Sequence, residues 1–204
     1  MTGAAVHRHD AAVHRHGAAA GAASERAVPP GGARPPCSPV LLGEPRVRVP
    51  HVPDHPSCFG CGPSPGLGLR VVEEDERGVL AELSLGRVHQ GAPGIAHGGI
   101  VAAVLDEATS LAVWRALNRP NVTGRLEVQF LAPVPLEEPL RVRASCTAVA
   151  GRKAYATADL HVGGVDGPVA ASAAAVYIAV PATHFDRHAT AAGPHDPRTC
   201  QDGP

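Results

Sequence analysis

Between Gly91 and Leu117 the sequence GAPGIAHGGIVAAVLDEATSLAVWRAL gathers the residue types that can do chemistry. A glycine-rich loop delivers His97, Gly98 and Gly99 onto the start of a long apolar run, and that run carries two adjacent carboxylates, Asp106 and Glu107. The first backbone N–H groups of a helix have no intrahelical partner and sit at the positive end of the dipole, so they can stabilise a developing oxyanion. Gly98 and Gly99 suit that task because no side chain obstructs close approach, and their amides are the groups expected to act. A carboxylate set among Ile, Val, Leu and Ala needs a reason, since burying a charge is costly. Acting as a nucleophile or a base toward water is one such reason. The plain alternative, two solvated surface acids, fits a helix this apolar poorly. Glu107 lies about 100° around the helix from Asp106, so the two should not share a pocket. Asp106 is the favoured one, because Thr109 and Ser110 fall on its face and can keep that face polar. For His97, ordering the loop or capping the helix competes with direct proton transfer.

The surrounding pattern says what must position these groups. Apolar positions Ile100, Val101, Val104, Leu105, Ala108, Leu111, Ala112 and Leu117 recur at helical spacing over 98–117 and spill over more than one face, which predicts a buried helix. Asn118, Arg119 and Pro120 end it. Upstream, GLGLRVVEED and GVLAELSL read as a hairpin with Val79, Ala81, Leu83 and Leu85 on one face against Leu80, Glu82 and Ser84, and 87–96 reads as a loop. Downstream come four strand-like runs. In 122–134, Leu126, Val128 and Phe130 alternate with Glu127 and Gln129; in 140–150, Leu140, Val142, Ala144 and Cys146 alternate with polar residues. KAYATADLHV and PVAASAAAVYIAV follow, joined by turns at 151–153 and 163–167. The expectation is an α+β fold, an antiparallel sheet of about six strands covered by one long helix.

Length and charge narrow the class of partner. The chain has 204 residues, room for one domain with tails, and a net charge of −1, which leaves no electrostatic case for nucleic acid or an acidic membrane. One Trp, two Tyr and three Phe provide no stacking platform for single strands. No run approaches the roughly 18 apolar residues of a membrane span, and the Ala/Gly stretch at 17–23 is too weakly hydrophobic for a signal-peptide core. With an odd set of cysteines, Cys37, Cys58, Cys61, Cys146 and Cys200, a reducing cytoplasmic setting is expected.

The flanks read differently. Residues 1–50 are a low-complexity tail expected to lack order, with a tandem AAVHRHD/AAVHRHG repeat that clusters His7, His9, His14 and His16. Residues 51–180 form the domain and 181–204 a loose tail. At the domain entrance, HVPDHPSCFGCGPSPG sets His51, His55, Cys58 and Cys61 close together. Four such ligands suffice for a closed zinc site, but zinc modules space their ligand pairs by about a dozen residues. The crowding of proline and glycine favours a turn-rich segment packed on the domain edge, over zinc and over a redox pair.

With HGG at the helix entrance between an early hairpin and four later strands, the chain resembles the PaaI-like acyl-CoA thioesterases of the hotdog fold. The resemblance covers roughly residues 51–180, through CFGCGP, PGIAHGGIVAAVLDEA and TGRLEVQFLAPVP. It implies a homodimer or dimer of dimers, no metal or other cofactor, and sites at the dimer interface that hydrolyse acyl-CoA thioesters. Asp106 resembles in position the family's catalytic carboxylate, and Thr123 a position that often carries a hydroxyl beside it. Eight residues of helix, about 12 Å, separate Asp106 from Gly98, too far for both to address one carbonyl within a chain. The site should therefore join Gly98 of one subunit to Asp106 of another. His89 and Gln90 precede the helix and are candidates for contact with the carbonyl or water, and Arg125, Arg152 and Lys153 are candidates for the CoA phosphates. Two other readings remain for the same fold: an acyl-thioester dehydratase or hydratase, and a module that binds acyl-CoA without turnover.

Overall fold

The structure, a computed structural model, describes residues 28–36, 58–63, 65–74 and 78–185. His7, His9, His14, His16, His51 and His55 and nearly all of the C-terminal tail lie outside the described residues. The elements in chain order are β1 (Arg70–Glu74), β2 (Gly78–Ser84), β3 (Gln90–Ala92), β4 (Ile95–Ala96), α1 (Gly98–Leu117), β5 (Asn121–Phe130), β6 (Pro139–Ala150), β7 (Lys153–Val162) and β8 (Val169–Ala179). Six of the strands form one antiparallel sheet in the order β1-β2-β6-β7-β8-β5, and α1 packs across it against β2, β5, β6, β7 and β8. This is the hotdog arrangement, a sheet wrapped around one long helix.

The helix buries one stripe completely: Val101, Val104, Leu105, Ala108, Thr109, Ala112, Val113 and Ala116. Their spacing of three and four residues is that of a single helical face. Beneath it, Ala154, Ala156 and Ala158 of β7 pair with Tyr177, Ala175 and Ala173 of β8, and these side chains are buried. Alanines let the helix axis approach the sheet closely, and Tyr177 is the one large side chain in that patch. Residues such as Ile100, Ala103, Asp106, Glu107, Ser110 and Leu111 flank the stripe and are only half-buried. The second apolar face read from the sequence is therefore covered only in part within one chain. Asn118 ends the helix in the left-handed conformation, φ 49°, with its N–H on the Trp114 carbonyl.

Three local readings are revised. The stretch 87–96 is not plain loop: a 3-10 turn at Arg87–His89 leads into the small β3–β4 hairpin, which turns at Gly94 with φ 75°. Leu80 is buried along with Val79 and Ala81, so side chains on both faces of β2 are covered there. Phe130 does not join the core; it and Leu131 end β5 at 58% and 59% exposure. Upstream of the domain, Arg34 exchanges both backbone hydrogen bonds with Val149. The pairing of β2 with β6 stops at Ser145, leaving the last residues of β6 with an open edge that Arg34 occupies.

Candidate active site

Three elements converge on Asp106. Thr123 of β5 donates from Oγ1 to Asp106 Oδ1 at 3.0 Å, and the Tyr177 hydroxyl of β8 reaches the same Oδ1 at 2.8 Å and the Asp106 carbonyl oxygen at 2.7 Å. Thr109, one turn along α1, donates to the Leu105 carbonyl at 2.7 Å while its oxygen lies 2.7 Å from the Tyr177 hydroxyl. Either oxygen of that last pair can be the donor, and when Thr109 donates there the single proton of Tyr177 is free to point at Asp106. Burial pushes the Tyr177 hydroxyl above the usual tyrosine range, so it stays a donor at neutral pH. Both donors fall on Oδ1, and Oδ2 has no partner among the described residues. The carboxylate is thus aimed by one oxygen and available through the other.

Thr123 reaches this position through a bulge. Simple alternation would put residue 123 on the face opposite Leu126 and Val128. The register shifts between Thr123, which pairs with Tyr177, and Arg125, which pairs with Val176. The extra residue is Gly124, where a Cβ would crowd the Val176 carbonyl at 3.2 Å. The bulge returns the Thr123 hydroxyl to the helix side. Tyr177 is the functional residue that sequence reasoning missed. Its signal was a lone phenol in the alternating alanines of β8, since a buried tyrosine hydroxyl needs a partner.

At the other end of the site, His97 caps α1: its Nδ1 accepts from the Gly99 N–H at 3.0 Å. Of the two glycine amides expected to act on an oxyanion, one is thus engaged in the cap. Gly99 is held by the cap, and Gly98, exposed at the first helical position, has no acceptor for its N–H among the described residues. The loop before it is pinned by Ala96 and Leu136, whose N–H groups donate to the carbonyls of Val134 and Gly94 at 2.9 and 3.0 Å. Gln90 is engaged in the same loop, its Oε1 accepting from Gly94 at 3.0 Å. His89 is 7% exposed; its Nδ1 accepts from Gly86 at 3.2 Å, which leaves the proton on Nε2, a buried atom with no partner among the described residues.

The basic candidates stand apart from Asp106. Arg125 Nε lies 2.6 Å from Glu127 Oε1 on the same strand. Arg152 and Lys153, in the β6–β7 turn, line a cleft of about 400 Å³ with Pro30, Ala150, Tyr155 and Ile178. Lys153 pairs with Ile178, next along β8 from Tyr177, so this cleft lies at the same end of the sheet as Thr123. Glu107 does not join the Thr123 and Tyr177 hydroxyls that hold Asp106, as its angle predicts, and meets Cys58 and Cys61 instead. Among the described residues no helix is long and apolar enough to cross a membrane.

A hotdog domain with a carboxylate fixed on the flank of its helix and an open amide at the helix start defines a class, and comparison with known proteins shows what it is similar to. A family model of the thioesterase superfamily matches residues 93–167. The acyl-coenzyme A thioesterase THEM4 of Bos taurus is 29% identical over 106 residues, 50% of this chain and 43% of its own length, so the chain spans less than half of that curated relative. A thioesterase-superfamily protein solved by X-ray diffraction is 25% identical, with 62% of this chain and 97% of that one covered and a TM-score of 0.53. A hypothetical thioesterase from Streptococcus pneumoniae TIGR4, solved with coenzyme A, shares the fold at 17% identity, covering 55% and 86% of the two chains, with a TM-score of 0.51. Over residues 93–167 the chain is thus similar to the thioesterase superfamily, and its fold is the hotdog fold.

Proposed function

We propose that the chain hydrolyses an acyl-CoA thioester to a free acid and CoA, as a homodimer in which Gly98 N–H of one protomer and the partner's Asp106 face one carbonyl. The observation that carries this reading is the Asp106 carboxylate, aimed by Thr123 and Tyr177 through Oδ1 alone. Similarity to a relative that is by name an acyl-CoA thioesterase, and a fold shared with a thioesterase solved with coenzyme A, support the substrate class. In the reaction, Oδ2 either attacks the thioester carbon or takes a proton from the water that does. The carbonyl electrons move onto oxygen, where the Gly98 N–H stabilises the charge. Collapse expels the CoA thiolate, which takes up a proton; if Asp106 has attacked, water then hydrolyses the acyl-aspartate. His97 acts here as the cap that sets the amide direction. The second protomer is required by the spacing of Gly98 and Asp106 along one rigid helix, and the exposed end of β5 with Phe130 and Leu131 is the apolar surface available to cover. Arg152 and Lys153 are the better placed of the basic candidates for the CoA phosphates. The free thiols Cys58, Cys61 and Cys146 accord with a reducing, cytoplasmic setting.

A panel of short, long and aromatic acyl-CoAs, with thiol release as the readout, tests the reading. Thiol release from at least one is expected. Water addition without CoA release would make the chain a hydratase, and acyl-CoA binding without thiol release would make it a binding module. Removing one hydroxyl probes the aiming of the carboxylate. Tyr177→Phe keeps the ring in the core and should lower kcat about tenfold, near 1.4 kcal/mol, the size of one hydrogen bond to a charged group. Steady-state kinetics that leave kcat unchanged would reduce Tyr177 to packing.

A further inference from the structure

The CFGCG turn and the middle of the helix hold a second constellation that the proposed hydrolysis does not use. Cys58, Cys61 and Glu107 are each half-buried, and the two sulfurs and a carboxylate oxygen all lie within 4.8 Å of one another. The turn is fixed from several sides: Gly62 N donates to the Cys58 carbonyl at 2.8 Å, Leu67 N to Phe59 at 2.7 Å, Gly68 N to Gly62 at 3.0 Å and Leu69 N to Gly60 at 3.2 Å. Gly60, between the cysteines, faces Glu107 directly; a Cβ there would collide with the Glu107 carboxyl. The backbone thus leaves a side-chain-free gap through which a carboxylate from the helix reaches two thiols.

We propose that Cys58, Cys61 and Glu107 form a divalent-metal site, suited to Zn²⁺, that clips the turn before β1 onto the middle of α1. Two thiolates and a carboxylate are donors that zinc accepts, at about 2.3 Å for sulfur and 2.0–2.2 Å for oxygen. Two sulfurs on one tetrahedral ion lie about 3.8 Å apart, so modest side-chain rotation suffices. Binding releases the thiol protons to solvent and supplies the positive charge these groups otherwise lack. The rival use of a Cys-x-x-Cys pair is redox, which calls for a readily formed thiolate. Here the helix sets a carboxylate against the pair and no basic group that would favour a free thiolate is among the three. The ligand set differs from the one the sequence suggested: the third donor comes from the helix, far along the chain. Since Glu107 and Asp106 sit about 100° apart on α1, the ion would anchor the helix without addressing the substrate carbonyl.

The test is independent of any hydrolytic activity. Co²⁺ is titrated into the full-length protein, stripped with chelator and kept reduced, and the thiolate-to-cobalt charge-transfer absorption is followed in the near ultraviolet. One equivalent should saturate the band, Zn²⁺ should displace it, and Cys58→Ser or Cys61→Ser should abolish it. Glu107→Gln, nearly isosteric, should weaken the apparent affinity by about tenfold or more, and it carries the test should a serine variant fail to fold. The N-terminal histidines are present in every variant and yield no thiolate band, which separates their binding from this site. Absence of the band in the wild type, an undiminished band in a serine variant, or unchanged affinity in Glu107→Gln would overturn the proposal. So would recovery of a Cys58–Cys61 disulfide whose reduction restores no metal uptake.

Discussion

Asp106→Asn is expected to lower kcat by about 10²-fold or more while the fold stays intact. Asparagine has the size of aspartate, and its amide oxygen can still accept from Thr123 and Tyr177, so neither hydroxyl is left without an acceptor. What changes is the second position, where an NH₂ group replaces Oδ2. An amide nitrogen has no lone pair available for attack on a thioester or for taking a proton from water. The substitution therefore separates the chemistry from the hydrogen-bond frame that aims it. Thiol release under saturating acyl-CoA gives kcat, and circular dichroism with a thermal midpoint checks the fold. A folded variant with wild-type kcat would remove Asp106 from the mechanism. Single turnover in ¹⁸O-water then probes the first route: label in the Asp106 carboxylate indicates attack by aspartate followed by opening of the acyl-aspartate at the aspartyl carbon.

Gly98→Pro should cost about 10²- to 10³-fold in kcat, the range for loss of one oxyanion donor. Position 98 is the first of the helix, where proline is well tolerated because its missing N–H is one of the orphans of a helix start. His97 already has the extended conformation that a residue before proline prefers, and a Cβ at Gly98 would stand 3.6 Å from the Phe130 ring, an ordinary contact. The change thus deletes one N–H and little else. It also provides a test of the shared site. Mixed and re-equilibrated with Asp106→Asn, the proline variant should form heterodimers in which one of the two sites joins an intact Gly98 to an intact Asp106. About a quarter of wild-type activity should return, half of the dimers being mixed and half of their sites competent. Activity that stays at the level of the separate variants would mean that both groups act within one chain, against the proposed dimeric site.

Much of this was legible in the residues. Hydrophobic periodicity is a local property, so the helix at 98–117 and the later strands could be read from spacing, with Asn118 and Pro120 marking where the helix stops. The motif around His97 and Asp106 was legible because few side chains suit a helix entrance or interrupt an apolar run. Register and burial are different in kind. The Gly124 bulge reverses the side on which Thr123 lies, and no alternation rule reveals where a strand absorbs an extra residue. Phe130 reads as core by alternation and lies exposed as the last residue of β5, while Leu126 and Val128 of the same strand pack on the core.

By itself, the sequence determined the order of the long helix and the six strands of the main sheet, the helix that carries Asp106, and the 12 Å that keeps it from Gly98, since each follows from local spacing and backbone geometry. Only the tertiary structure decided which groups meet. It brought Tyr177 of the last strand onto Asp106 and set Glu107 against Cys58 and Cys61. These pairings join residues far apart in the chain. Their geometry comes from how the sheet curls around the helix, which no local pattern encodes.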